Sequence, residues 1–212
     1  MKYTGMPWGM WMIFKNSFKK QLINVLGYTA ERAEEITKMS EKRYKEIIDG
    51  LPEFEKEDRF KMNIVNCAML SSFYLNMDEK PSLEEMTEYY KKSMMTKPMI
   101  LFCRMSGKNK FSGKDIKGMR KTAVFKAADR NPYSWNMEHY PYENGRGYEA
   151  RFTKCGICTL MKELGIEEII PAMCRLDYTM SEAGGVSDFQ RQYTLASGGP
   201  YCDCGYYKKE KR

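Results

Sequence analysis

The chain has 212 residues, 42% of them hydrophobic and 13% aromatic, which excludes intrinsic disorder and suffices for one sizeable domain. Its net charge is +7, but part of this excess is terminal, since Lys2 lies at one end and basic residues crowd 208–212. No basic stripe interleaved with aromatic residues is present, so we expect a solvated basic surface and no nucleic-acid partner.

At the N-terminus, the apolar run MPWGMWMIF is short and is followed by no small-residue cleavage site. A membrane-spanning helix needs about 20 apolar residues, so we expect no membrane association. With no secretory signal in view, we expect a cytoplasmic, reducing location. The seven cysteines are then expected to be thiols or metal ligands rather than disulfides.

Helical patterns follow as far as Pro132. One helix is predicted over 17–28, and the next begins at Thr29 as its N-cap. The segment 55–77 is more apolar and is expected at the centre of the core. Ser82 and Glu85 then have the spacing of a capping box, and the polar, glycine-containing stretch 106–115 is predicted to be a loop before a last helix.

Beyond Pro132 the period changes. Alternating patterns predict four strands, near 134–140, 148–154, 187–195 and 201–207, with an Asn144-Gly145 hairpin turn after the first. Two short helices are predicted between the second and third strands. We therefore predict a single α+β domain over 1–212, in which a helical part (1–132) packs against a small, mostly antiparallel sheet within 133–207.

The cysteines raise the question of a metal site. Cys155 and Cys158 form a CxxC pair, and Cys202 and Cys204 form a CxC pair, so thiolates could hold zinc. The gap between the pairs is longer than in common zinc modules, and neither pair has glycine-rich flanks. We therefore expect no metal and no cofactor, with zinc as the alternative. Asp203 is predicted to point away from its two neighbouring thiols.

Other cysteines differ in their expected roles. Cys67 and Cys103 lie in apolar runs and are expected to be inert core residues. Cys155 lies where a strand gives way to a helix, and the free N–H groups at a helix start favour a thiolate. Cys174 and Asp177 are three residues apart on a helix and share a face, so Cys174 is either a small core residue or part of a pocket.

Two basic side chains complete the candidate set. Arg191 is predicted to share a strand face with Phe189 and Tyr193, where it needs a carboxylate from Asp177, from Asp203 or from a substrate. His139 is the only histidine, so a Cys-His dyad would have to use it. Its alternation with Trp135 and Met137 favours a structural role in the core over that of a base.

The order of these residues resembles the L-2-amino-thiazoline-4-carboxylic acid hydrolase family over about 135–206. The stretch is FTKCGICTLMKELGIEEIIPAMCRLDYTM, followed by FQRQYTLASGGPYCDC. The family pattern falls on Cys155, Cys174 with Asp177, Arg191 with Thr194, Gly198 with Gly199, and Cys202 with Asp203. Two thiols depart from it: Cys204 stands where the family commonly has Phe, and Cys158 is not part of the pattern.

The resemblance implies a hydrolase that opens a small carboxylated thiazoline with water and gives an N-carbamoyl-cysteine. The catalytic candidates are Cys155, Cys202, Asp177 and Asp203; the substrate-binding candidates are Arg191, Cys174, Thr194 and His139. Either Cys155 or an activated water would attack, one of the two aspartates would handle the proton, and Arg191 would hold the carboxylate. The alternatives are a non-catalytic small-molecule or zinc-binding domain and a redox sensor.

Overall fold

The computed structural model describes residues 1–210 of the chain. Within these residues the eight α-helices are α1 (Met6–Asn24), α2 (Ala30–Gly50), α3 (Lys61–Leu75), α4 (Leu83–Met94), α5 (Lys97–Asn109), α6 (Gly113–Ala127), α7 (Gly156–Leu164) and α8 (Ile170–Gly184). The four strands are β1 (Asn136–Pro141), β2 (Gly147–Lys154), β3 (Ser187–Gln190) and β4 (Cys202–Lys208). The predicted α+β class is confirmed.

The helices form because local signals and burial agree. Thr29 accepts the backbone N–H of Arg32 as the N-cap of α2, and Ser82 and Glu85 form the predicted capping box of α4. Each such cap stabilises a helix by about 1 kcal/mol. α3 is central, as predicted, since every residue from 64 to 74 is buried.

The N-terminal apolar run is the first half of α1, which begins and ends earlier than the helix predicted there. Its Trp11 ring stacks on Tyr44 of α2 and on Phe73 of α3, with centroids 5.5 Å and 5.6 Å apart. Residues of this run are therefore buried in the helical core, which also includes residues of α7 and α8. None of the helices within residues 1–210 combines the length and apolar character needed to cross a membrane.

The loop predicted over 106–115 is wrong for most of its length, because α5 continues to Asn109 and α6 starts at Gly113. Gly107 lies inside α5, where a Cβ would be 2.6 Å from the carbonyl oxygen of Gly184. The glycine therefore lets α5 approach α8 closely. A glycine needed for helix contact is indistinguishable in sequence from one that ends a helix.

The four strands form one antiparallel sheet in the order β1-β2-β4-β3, as predicted. The β1–β2 hairpin turns at Asn144-Gly145, where Gly145 has a φ of 68°, a conformation that favours glycine. In the centre of the sheet Cys202 of β4 lies opposite Phe152 of β2. The sheet thereby holds the CxC segment beside the end of β2.

The strand predicted over 187–195 is wrong in its second half, because β3 has only four residues. Beyond it, the backbone N–H groups of Gln192 and Tyr193 donate to the Asp203 carboxylate, the latter at 2.6 Å. These bonds divert the chain from the sheet edge. Arg191 therefore lies in a loop and not on the strand face predicted for it.

Candidate active site

A cavity of about 190 Å³ lies between α3, α8, β4 and the start of α7. We call it the thiol cavity. Its thiols and charged groups are Cys67, Cys155, Cys174, Cys202, Cys204, Asp177 and Arg191, and most of the remaining wall is apolar. The structure thus brings five predicted site residues to one cavity: Cys155, Cys174, Asp177, Arg191 and Cys202.

Cys155 is the residue that precedes α7, in an extended conformation that continues β2. The neighbouring Cys158 thiol favours the Cys155 anion most, and the backbone N–H groups of Ile157 and Cys158 and the Trp135 side chain favour it further. Together they lower the Cys155 pKa to about 7 against the opposing effect of burial. The two N–H groups are near Sγ without the geometry of a regular capping bond. Cys155 is therefore the thiol best prepared to act as a nucleophile.

The pKa of Cys158 is shifted in the opposite direction. The nearby Cys155 thiol and burial both raise the pKa of Cys158 well above the usual range. The CxxC spacing places the two residues about one helical turn apart, which brings the two thiols close. Cys155 is therefore the thiol of this pair that ionises first.

Asp177 and Arg191 form the polar end of the cavity. Arg191 Nη1 donates to Asp177 Oδ2 at 2.8 Å, and Arg191 Nη2 donates to the carbonyl oxygen of Cys174 at 2.8 Å. The Arg191 side chain is only 6% exposed, whereas that of Asp177 is 46% exposed and lines the cavity. The exposed part of Asp177 faces the cavity and is surrounded by protein atoms, and this enclosure raises its pKa, while the Arg191 cation opposes that rise.

The other thiols of the cavity are held neutral. Burial raises the pKa of Cys174 to about 12 and also raises the pKa values of Cys202 and Cys204. The backbone N–H of Leu195 points at the Cys202 sulfur at 3.3 Å. These thiols are therefore wall groups and weak donors at neutral pH, unlike Cys155.

Three predicted site residues lie outside the thiol cavity. Asp203 is on the other face of β4, where it holds the loop after β3. Thr194 caps a 3₁₀ turn by accepting the backbone N–H of Ser197 at 3.1 Å. His139 lies on β1 with its ring 5.1 Å from that of Tyr148, and burial lowers its pKa.

The sequence analysis did not predict two residues that line the cavity, Cys67 and Cys204, or the need for a glycine at position 156. Cys67, expected to be inert, is buried but lines the cavity from α3, and Cys204 lines it from β4. Gly156 has no free space, because a Cβ there would be 1.9 Å from the carbonyl oxygen of Tyr133. Only the alternation of the CxC segment could have indicated Cys204; the other two depend on tertiary contacts.

The zinc alternative finds little support in the geometry. All seven cysteines are free. Among residues 1–210, no three His, Cys, Asp or Glu side chains are arranged so that they could hold a metal ion. Cys158 also does not line the cavity that its CxxC partner shares with the CxC pair.

The family model described as L-2-amino-thiazoline-4-carboxylic acid hydrolase matches residues 62–206. The chain belongs to this family. The family's name is that of a hydrolase, and its match starts far earlier than the resemblance seen in the sequence, near the start of α3. Comparisons with curated proteins and with solved structures gave no match.

The matched region of this L-2-amino-thiazoline-4-carboxylic acid hydrolase family member contains the whole thiol cavity except Phe60. The helices α3 to α6 therefore belong to the family region together with the sheet. α3 supplies a wall of the cavity, so the helical part is needed to build the site.

Proposed function

We propose that the protein hydrolyses a small carboxylated thiazoline, opening 2-aminothiazoline-4-carboxylate to N-carbamoyl-cysteine. The observation that supports this most is the lowered pKa of Cys155 in a small cavity that also contains Asp177 and Arg191. A nucleophile, a proton acceptor and a cation are the groups that this reaction requires. The family name agrees with the reaction type.

The first step is attack by the Cys155 thiolate on the ring carbon that lies between nitrogen and sulfur. The bond from that carbon to the ring sulfur then breaks, and the leaving sulfur takes a proton. The Cys174 and Cys202 thiols, which line the cavity and stay protonated at neutral pH, are the donors available for this proton. The product of the step is an isothiourea bonded to Cys155.

The second step is hydrolysis of this intermediate. Asp177 accepts a proton from water, whose oxygen attacks the same carbon and releases the Cys155 thiolate. Asp177 then passes this proton to the wall thiol that protonated the leaving sulfur, so both side chains return to their starting state. Over both steps one water is consumed: its oxygen becomes the urea carbonyl, one proton ends on the released sulfur and the other on the former ring nitrogen. The raised pKa of Asp177 makes it a better base than an ordinary aspartate.

Arg191 is proposed to receive the substrate carboxylate, because among the described residues it is the one cation on the wall of the thiol cavity. It also positions Asp177 through their ion pair. No metal or cofactor takes part in the proposed steps, and a reducing compartment such as the cytoplasm would keep Cys155 available. Activity that survives prolonged dialysis against a chelator is therefore expected.

The experiment is incubation of the purified protein with 2-aminothiazoline-4-carboxylate, with mass spectrometry used to follow the gain of one water. We expect ring opening, and we expect Cys155→Ser to abolish it. Cys103→Ser is the matched control, because Cys103 is a free cysteine outside the thiol cavity. The ring analogue without its carboxylate should show a higher KM.

Stoichiometric binding of the thiazoline without turnover would contradict the proposal and favour a non-catalytic binding domain. Full activity in Cys155→Ser would likewise contradict the role given to Cys155. A trapped adduct on Cys155, found by peptide mapping after acid quench, would support covalent catalysis over direct attack by water.

A further inference from the structure

A second cavity of about 320 Å³ lies behind the thiol cavity, bounded by α5, α6, α8 and the sheet. We call it the basic cavity. Phe60, Phe152, Asp177, Met180 and Tyr206 line both cavities and form the wall between them. The charged groups that line the basic cavity, apart from Asp177, are Arg59, Lys110 and Asp115. None of these three has a part in the hydrolysis proposed above.

Lys110 is a cation largely withdrawn from water. Its Nζ lies 3.4 Å from the centroid of the Tyr206 ring and 5.4 Å from that of Tyr148. It takes part in none of the ion pairs formed within residues 1–210. Burial lowers its pKa to about 8. A cation–π contact replaces only part of the hydration that a buried ammonium loses.

Asp177 is paired with Arg191, so the remaining charges of the basic cavity are two cations and one carboxylate, Asp115. Asp115 accepts the backbone N–H of Phe111 at 2.8 Å and the Tyr148 hydroxyl at 3.2 Å, so it is held by neutral donors and forms no ion pair with Lys110. Its charge favours the Lys110 cation, and the charge of Arg59 opposes it more weakly. Arg59 has one polar contact, from Nη1 to the sulfur of Met119 at 3.4 Å.

We propose that the basic cavity binds the carboxylate of a small organic acid with a planar apolar body. The carboxylate pairs with Lys110 and Arg59, the two cations that line this cavity. The body of the acid packs against the apolar part of the wall, which includes Met119, Met137 and Ala150. Ligand sites in proteins commonly combine such an apolar wall with few charged groups.

The test is calorimetric titration of the full chain with benzoate and with benzamide, its neutral counterpart of nearly the same shape. Benzoate should bind at least tenfold more tightly than benzamide. Lys110→Met should weaken benzoate binding at least tenfold, and Arg59→Gln, at an exposed position, should weaken it several-fold without a risk to folding. Lys108→Met, which changes an exposed lysine two residues earlier in α5, is the matched control and should bind benzoate normally.

Equal affinity for benzoate and benzamide would overturn the proposal, as would normal benzoate binding in both Lys110→Met and Arg59→Gln. Cys155→Ser alters a side chain that lines the thiol cavity and not the basic cavity. This variant should bind benzoate as the parent protein does. Loss of benzoate binding in Cys155→Ser would place the acid in the thiol cavity and also overturn the proposal, whatever the outcome of the hydrolysis assay.

Discussion

Cys155 and Cys158 show how one helical turn can give two thiols opposite properties. Cys155 lies at the start of α7, where N–H groups without internal partners favour its anion and lower its pKa. Cys158 lies one turn further, and its pKa is raised. The two identical side chains therefore ionise at different pH values because of their positions.

This difference predicts a pH profile for alkylation. The pKa of Cys155 is lowered, so its reactive thiolate is present above about pH 7 and is lost as the pH falls through that value. The rate of Cys155 modification by iodoacetamide, followed by peptide mass spectrometry, should therefore have its midpoint near pH 7. Cys158→Ala removes the largest favourable contact and should move the midpoint to higher pH. An unchanged midpoint in Cys158→Ala would contradict this explanation.

The Arg191–Asp177 pair predicts a loss of stability. Arg191→Met removes two hydrogen bonds and leaves Asp177 without its cation, so we expect the free energy of unfolding to fall by about 1–3 kcal/mol. Arg191→Lys keeps the charge but not both bonds, and should lie between Arg191→Met and the parent. Urea denaturation measures both changes.

The control for that prediction is the exposed pair of Lys209 and Asp188, 3.5 Å apart. Lys209→Met should change the free energy of unfolding by less than about 1 kcal/mol, since exposed ion pairs contribute little. If Arg191→Met were as mild as Lys209→Met, the partly buried pair would have no special structural role.

At the scale of elements, α7 sits against the chain that leads into β1. Gly156 is buried at the first position of α7, and its Cα faces the backbone of Tyr133. This close approach places the start of α7, and Cys155 with it, beside Trp135. The position of the nucleophile therefore depends on a residue without a side chain.

Gly156→Ala should reveal this dependence. The new Cβ would be 1.9 Å from a backbone oxygen that cannot move alone, so we expect a loss of about 1–3 kcal/mol in stability and a higher Cys155 pKa. Gly118→Ala in α6 is the control, because nothing lies within 4 Å of its added Cβ. That change should be neutral or stabilise by up to about 1 kcal/mol. Similar stability of the two variants would contradict the close contact.

At the scale of the molecule, a buried polar network joins segments that are distant in sequence. Lys126 of α6 is fully buried and donates to Asp58 at 2.5 Å, to Asp129 at 2.6 Å and to Ser134. Asp58 lies just before α3 and Ser134 just before β1, so the network links the helical part to the sheet. Such a buried ammonium is stable only when all its partners are present.

Lys126→Met should lower the free energy of unfolding by about 3–5 kcal/mol, because it leaves carboxylates without a cation. Adding Asp58→Asn should recover part of this loss, since one buried charge is then removed. Lys121→Met at an exposed position of α6 is the control and should stay within about 0.5 kcal/mol of the parent. Guanidinium denaturation gives the three values, and additive losses in the double variant would contradict the network.

Local signals in the amino-acid sequence determine much of this fold. The caps at Thr29 and Ser82, the β1–β2 hairpin with its Asn144-Gly145 turn, and the place of Cys155 between strand and helix all depend on contacts between residues close in sequence. The type and spacing of neighbouring residues determine short-range hydrogen bonds and hydrophobic periodicity, which is why these features can be predicted from the sequence. The order of the polar residues in the C-terminal part sufficed to indicate the family.

Only the tertiary structure decided which candidates meet. Asp177 and Asp203 are both acids beside cysteines in sequence, yet one lines the thiol cavity and the other holds a loop on the opposite face of β4. Cys67 reaches the same cavity from α3, far away along the chain. A cavity is the space left when distant elements pack together, so its members depend on strand register and on helix contacts such as that of Gly107, which no local pattern encodes.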